Sequence, residues 1–172
     1  NGVWVYDPRG NEYMMDPAIT GAHLKMVHEA SAWLREEYEP RGVTQQPDKV
    51  ASISLYHPRT EVLKEILSTI AERFAAKKWP LRVSMTWLYI NCDLMHISKA
   101  TGMKRLMELA GVKAERLAGI GDTMSDLAIR ENGAWFACPA NAANELKGKA
   151  DFVATQPEAQ GVVEILGQIA SG

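Results

Sequence analysis

The pattern of apolar and polar positions changes near residue 93. Before it, alternating stretches and helix-spaced stretches follow one another, as in an antiparallel sheet with helices on one side. The predicted elements there are a β-hairpin (3–6 and 12–15), a helix after Pro17, a strand over Lys49–Tyr56, a helix stripe over Val62–Phe74 and two short strands within Arg82–Cys92. This order predicts an α+β layer over residues 11–92. Its sheet should have one wet face, because serines alternate with apolar residues in the strand over Lys49–Tyr56.

After residue 93, short apolar strands alternate with helices. The predicted elements are a helix ended by Gly111, strands over Leu117–Ile120, Ala134–Cys138 and Asp151–Ala154, and helices after about Ser125, over Asn141–Lys147 and over Val162–Ile169. Strands and helices that alternate in this way predict a parallel sheet covered on both faces. The expected fold class is therefore α/β.

Composition places the chain among ordinary globular proteins. Of its 172 residues, 47% are hydrophobic and 23% are charged, which excludes disorder and suits one domain or two small ones. A net charge of −2 gives no reason to expect nucleic acid or an anionic membrane as partner. No apolar run approaches the roughly 20 residues that span a bilayer. Cys92 and Cys138 show no metal-ligand spacing and are expected to be buried thiols of a cytoplasmic protein.

Two carboxylates follow the predicted strand Leu117–Ile120. Asp122 stands at the carboxyl end of that strand, where parallel α/β sheets bind ligands, and Asp126 lies one helical turn further on. Two hard oxygen ligands at one edge suit Mg²⁺, which takes one or two carboxylates and completes its shell with water and phosphate. The alternative is structural: one aspartate caps the helix and the other favours its positive end.

Lys99 lies in the first turn of a predicted helix, directly after Ser98, a plausible N-cap. A lysine there opposes the helix dipole, so a phosphate or carboxylate should compensate its charge. The alternative is a lysine that leans away into water.

These residues belong to a longer series of motifs. The series runs through Ile97–Met103 with Lys99, Gly121–Asp126, Asn132–Ala134, Asn141-Ala142, Glu145–Lys147, Ala150–Val153 and Gly161-Val162. Its order and spacing resemble the third and fourth motifs and the C-terminal tail of the Cof-type, sugar-phosphatase-like branch of the haloacid dehalogenase (HAD) superfamily. Asn1–Val3 resembles the point where that branch leaves its core for a cap. The resemblance implies a Rossmannoid parallel core with an α+β cap: residues 1–10 as the core-to-cap hairpin, 11–92 as the cap and 93–172 as the C-terminal part of the core.

The resemblance also implies a mechanism. In that family an aspartate attacks the phosphoryl group, and water cleaves the resulting aspartyl-phosphate. Lys99 would be the catalytic lysine at the phosphate and the nucleophile, Asp122 the direct Mg²⁺ ligand, and Asp126 a second ligand or the holder of a metal-bound water. Ser125, where the family more often has asparagine, and Asn141 would be substrate-binding residues. The implied substrate is a small phosphorylated metabolite, above all a sugar phosphate. Nothing in the sequence indicates an oligomeric state.

One departure from the family pattern bears on activity. No DxD pair followed by Gly-Thr occurs in the chain, so the nucleophile and the general acid are expected to lie outside these 172 residues. Two other interpretations stay open. One is a non-catalytic binding or assembly domain of the same fold. The other is an unrelated α/β binding domain in which Asp122 is a helix cap and Lys99 a surface charge.

Overall fold

The computed structural model describes residues 2–133 and 135–171. Three residues lie outside this part: Asn1 of the predicted hairpin motif, Ala134 at the start of a predicted strand, and Gly172. The chain divides into two compact units. One unit is Met15–Ser98, and the other combines Gly2–Met14 with Lys99–Gly172.

The secondary structure follows the predicted order. The strands are β1 (Trp4–Asp7), β2 (Glu12–Met15), β3 (Thr44–Gln45), β4 (Ser52–Tyr56), β5 (Leu81–Thr86), β6 (Tyr89–Leu94), β7 (Ala118–Ile120), β8 (Trp135–Cys138) and β9 (Phe152–Val153). The helices are α1 (Gly21–Tyr38), α2 (Thr60–Ala76), α3 (Lys99–Ala110), α4 (Leu127–Arg130), α5 (Asn144–Lys147) and α6 (Glu158–Ser171). Short 3₁₀ turns lie at Glu39–Arg41, Ala114–Arg116 and Met124–Asp126.

The Met15–Ser98 unit holds a four-stranded sheet in the order β3-β4-β6-β5, with antiparallel neighbours throughout. Helix α1 begins later than predicted, because Pro17 lies in a turn and Thr20 caps the helix in a capping box with His23. Apolar residues of both helices and of alternate sheet positions are buried in this unit: Val27, Leu34, Leu63, Ile66, Ile70, Phe74, Ile53, Leu55, Ile90 and Cys92.

The prediction that Ser52 and Ser54 lie on a solvent-exposed face of β4 is wrong. Ser52 is only 6% exposed and Ser54 only 2% exposed. Ser54 Oγ accepts a hydrogen bond from Lys49 Nζ at 2.9 Å and donates to Asn91 Oδ1 at 2.7 Å. The hydroxyl can be buried because it both accepts and donates a hydrogen bond.

The second unit holds a three-stranded parallel sheet in the order β7-β8-β9. Strand β8 is buried on both faces: Phe136 packs in a cluster with Leu146 of α5, and Ala137 in another with Ile165 of α6. The prediction of a parallel sheet covered on both faces, and with it the α/β class, is confirmed. Gly111 ends α3 as predicted, with a φ of 64° that glycine adopts without strain.

Two predicted helices of this unit are shorter than expected. Residues 124–126 form a 3₁₀ turn before the four-residue α4. Helix α5 starts at Asn144 instead of Asn141, because the backbone of Ala143 is extended, with a ψ of 135°, and a helix cannot run through it. The strands β4 and β7 belong to different sheets. The assignment of residues 11–92 as a cap and 93–172 as a core stays a prediction.

Candidate active site

The loop after β7 is held by backbone hydrogen bonds on both sides. The amide of Gly121 donates to the carbonyl of Ala137 in β8 at 3.2 Å, and the carbonyl of Asp122 accepts from Ala143 at 3.0 Å. These bonds fix Asp122 at the carboxyl end of β7. This is the edge at which parallel sheets bind ligands.

Asp126 organises this loop from within. The residue is 8% exposed, and Oδ2 accepts hydrogen bonds from the amide of Thr123 at 3.1 Å, from Thr123 Oγ1 at 2.9 Å and from the amide of Asp122 at 3.3 Å. A Cβ at Gly121 would lie 2.2 Å from Asp126 Cβ, so only glycine allows this approach. The carboxylate therefore stabilises the loop that carries Asp122.

Lys99, at the start of α3, pairs with the other oxygen of Asp126. Its Nζ also donates to Ser125 Oγ at 3.3 Å, and Ser125 Oγ lies 2.9 Å from Thr123 Oγ1. The carboxylate of Asp126 thus compensates the lysine that opposes the dipole of α3. Burial raises the pKa of Asp126, but hydrogen bonds from Lys99 and Thr123 outweigh burial and leave that pKa below its ordinary value.

The structure separates the roles of the two aspartates. Both oxygens of Asp126 are hydrogen-bonded within the protein, whereas Asp122 is exposed and contributes only backbone hydrogen bonds among the described residues. Within the described part of the chain, no group of three or more His, Cys, Asp or Glu side chains could hold a metal ion. Mg²⁺ needs only one or two protein carboxylates, so the donor set fits part of a Mg²⁺ site with Asp122 as the direct ligand.

Asn141 has a different position from the one that its sequence context indicates. Its Oδ1 accepts a hydrogen bond from the amide of Glu158 at 2.7 Å, at the start of α6. Among the described residues it makes no hydrogen bond to Lys99, Ser125 or Asp126. The structure thus brings Lys99, Ser125 and Asp126 together next to Asp122, and leaves Asn141 out of that hydrogen-bonded group.

Thr123 is the residue of this site that sequence reasoning missed. Its side chain accepts from the amide of Asp126 and its own amide donates back to the Asp126 side chain, which is a capping box. A Thr followed three residues later by an acidic residue is the local signal of such a box. The spacing Thr123-x-x-Asp126 could therefore have identified it.

The fold and the site define a class of protein: an α/β protein with an aspartate at a strand end and a lysine–aspartate pair beside it. Comparison with known proteins gives the family. The haloacid dehalogenase-like hydrolase family matches residues 2–166, and the chain belongs to this family. The resemblance to the HAD superfamily that the motifs indicated is confirmed.

The curated relatives are phosphatases of archaea. A phosphoglycolate phosphatase of Staphylothermus marinus is 34% identical over 106 residues, which are 61% of this chain and 44% of that protein. Another, from Sulfolobus acidocaldarius, is 29% identical over 150 residues, 81% of this chain and 60% of that protein. The chain thus matches about half the length of these relatives.

Solved structures share the fold. A Thermoplasma acidophilum protein has a TM-score of 0.69 at 16% identity, and the match covers 98% of this chain and 69% of that protein. The sucrose-phosphatase of Synechocystis has a TM-score of 0.64 at 15% identity, and the match covers 97% of this chain and 70% of that protein. At such identities the likeness shows the fold alone.

Among the described residues, no helix is long and apolar enough to cross a membrane.

Proposed function

We propose that this chain supplies the metal-binding and charge-neutralising residues of a Mg²⁺-dependent phosphatase that hydrolyses a small phosphomonoester. The observation that carries the proposal is the hydrogen-bonded group of Lys99, Ser125 and Asp126 beside the exposed Asp122, in a chain of the haloacid dehalogenase-like hydrolase family. Phosphoryl transfer depends mainly on positioning and on stabilising charge at the phosphoryl oxygens. A lysine and a metal-binding aspartate held at one strand end suit that task.

Each residue has a distinct role in the proposal. Asp126 and Ser125 hold the Lys99 ammonium at the start of α3, so that its one remaining N–H can donate to a phosphoryl oxygen. The same carboxylate fixes the loop that carries Asp122, the proposed direct Mg²⁺ ligand. Bound Mg²⁺ would neutralise charge on the phosphoryl oxygens. The attacking carboxylate would come from a DxD-type segment that does not occur among these residues.

The proposed substrate class is a small polar organic phosphate. Sugar phosphates follow from the motif resemblance, and phosphoglycolate is favoured by the names of the curated relatives. A cytoplasmic location is part of the same proposal, since Cys92 and Cys138 are both free thiols, as expected in a reducing compartment. A non-catalytic binding domain of the same fold is the alternative.

Phosphate release from a panel of sugar phosphates and phosphoglycolate, with and without Mg²⁺, tests the proposal. Two proteins are compared: the 172-residue chain, and the product of the complete reading frame with whatever residues it adds. We expect no turnover by the 172 residues, which lack an attacking carboxylate, and Mg²⁺-dependent turnover by the full product. Asp122→Ala in the full product should lower turnover by more than about 100-fold, because even outer-shell partners of a metal contribute about 10–100-fold.

Glu37→Ala, which removes an exposed carboxylate from α1, is the matched control and should leave turnover unchanged. Turnover by the 172-residue chain would show that the nucleophile lies among these residues. A full product that contains an intact DxD motif but hydrolyses none of the panel would support the binding-domain alternative.

A further inference from the structure

A pocket lies inside the Met15–Ser98 unit, between α1 and the segment that joins β3 to β4. It has a volume of about 290 Å³. Buried apolar side chains of Val27 and Ile53 line it, and exposed polar side chains of His28, Gln46 and Lys49 line it as well. The pocket therefore presents polar groups together with a smaller apolar surface.

Lys49 is held in place at this pocket. Its Nζ donates to the buried Ser54 Oγ at 2.9 Å, and Ser54 in turn donates to Asn91 Oδ1 at 2.7 Å. This chain of bonds uses one of the three ammonium N–H groups and leaves two for a ligand. No acidic residue is among the described residues that line the pocket, and Lys49 forms no ion pair within the described part of the chain. The pocket thus presents a fixed positive charge without a countercharge.

The wall of the pocket formed by α1 and β3 is also fixed before any ligand arrives. Ser31 Oγ donates to Gln45 Oε1 at 2.6 Å, and Gln45 Nε2 donates back to the Ser31 carbonyl at 2.7 Å. These two bonds tie α1 to β3. A ligand would therefore bind without the entropic cost of ordering this wall.

We propose that this pocket binds a short-chain organic carboxylate of about two to five carbons. The carboxylate accepts hydrogen bonds from the Lys49 ammonium, and the carbon chain lies against Val27 and Ile53. The volume lies just below the roughly 300–1,000 Å³ of ordinary ligand pockets, which favours a small ligand over a drug-sized one. A single fixed cation suits a monoanion better than a phosphate dianion, which draws several donors. The inference does not depend on the proposed phosphatase activity.

Titration of the ¹⁵N-labelled 172-residue chain with butyrate, followed by NMR, tests the proposal. We expect saturable shifts of amides in residues 45–52 and in α1 near Val27–Ser31. Butyramide, the neutral analogue, should bind at least about 10-fold more weakly, because it lacks the charge that Lys49 recognises. Sodium chloride at the same ionic strength should leave these amides unshifted.

Three variants locate the site. Lys49→Gln keeps a donor for Ser54 but removes the charge, and should weaken butyrate binding at least about 10-fold. Gln46→Glu adds a negative charge at an exposed position, and should weaken it comparably even if Lys49→Gln perturbs folding. Lys25→Gln removes an exposed charge of α1 that does not line the pocket, and should leave binding unchanged. Equal binding of butyramide, or full affinity in both Lys49→Gln and Gln46→Glu, would overturn the proposal.

Discussion

The two aspartates of the candidate site offer a matched pair of perturbations. Asp126→Asn should destabilise the unit that contains it by about 2 kcal/mol, whereas Asp122→Asn should change stability by less than about 0.5 kcal/mol. The Asp126 carboxylate accepts from Lys99 on one oxygen and from three loop donors on the other. An amide can accept on one side only, so its NH₂ group would face either the ammonium or the Thr123 amide. A charged hydrogen bond contributes about 1.5–3 kcal/mol, and the 38% exposure of the Lys99 side chain reduces that contribution.

Amide hydrogen exchange of β7 and β8 measures how much each substitution destabilises the unit that contains both aspartates. These strands lie beside the loop of Asp122, and their exchange does not report on the Met15–Ser98 sheet. A loss of 2 kcal/mol corresponds to about 30-fold faster exchange through opening of the unit. If Asp126→Asn exchanges as slowly as the unmodified chain, or if Asp122→Asn exchanges equally fast, the division of roles between the two aspartates is wrong.

The stability lost in Asp126→Asn depends on pH, and the direction of that dependence follows from the pKa of Asp126. The pKa of Asp126 is lowered below 3.8 in the folded chain. Its stabilising contribution is therefore fully present above the unfolded value and is lost as the pH falls through the lower folded value. The stability difference between the unmodified chain and Asp126→Asn should stay constant from about pH 7 to 5 and shrink below about pH 4. A difference that grows on acidification would contradict this assignment.

Two further perturbations test packing and burial. Gly121→Ala places a Cβ 2.2 Å from Asp126 Cβ and should cost about 1–3 kcal/mol in urea denaturation, whereas Gly167→Ala in α6, with nothing within 4 Å, should be neutral or stabilising by up to about 1 kcal/mol. Equal effects of the two would contradict the close approach. Burial raises the pKa of the Cys92 thiol to about 12, so iodoacetamide at pH 8 should alkylate Cys92, read by mass spectrometry, only in urea. Rapid alkylation of the folded chain would show that this thiol is accessible.

Features that depend on neighbouring residues in the sequence were predictable. The end of α3 at Gly111 follows from a glycine that can adopt a positive φ, and the spacing of Asp122 and Asp126 follows from one turn of chain. Both carboxylates could therefore be assigned to one loop. Their opposite exposures could not be predicted, because Asp126 pairs with Lys99, which lies 27 positions earlier in the chain.

Features that depend on distant partners were missed or wrong. Ser54 has the local pattern of a solvent-facing strand residue, but it is buried because Asn91, 37 positions later, accepts its hydrogen bond. Asn141 has the local pattern of a helix cap for the segment that follows it. It accepts instead from Glu158, 17 positions later, at the start of α6. Local propensity cannot identify such partners, since they come together only when the sheets form.

The division of the chain into two units has a consequence for the order of folding. The Met15–Ser98 unit is continuous in sequence, whereas the other unit joins Gly2–Met14 to a segment that begins at Lys99. The Arg9 guanidinium donates to the carbonyl of Leu109 at 2.8 Å, across 100 positions of chain. During synthesis, Gly2–Met14 cannot complete its unit until the segment from Lys99 onward has been made. The Met15–Ser98 unit can already fold in the meantime, because its contacts are local in sequence. Once folded, that unit shortens the effective loop and lowers the entropic cost of bringing the two segments together.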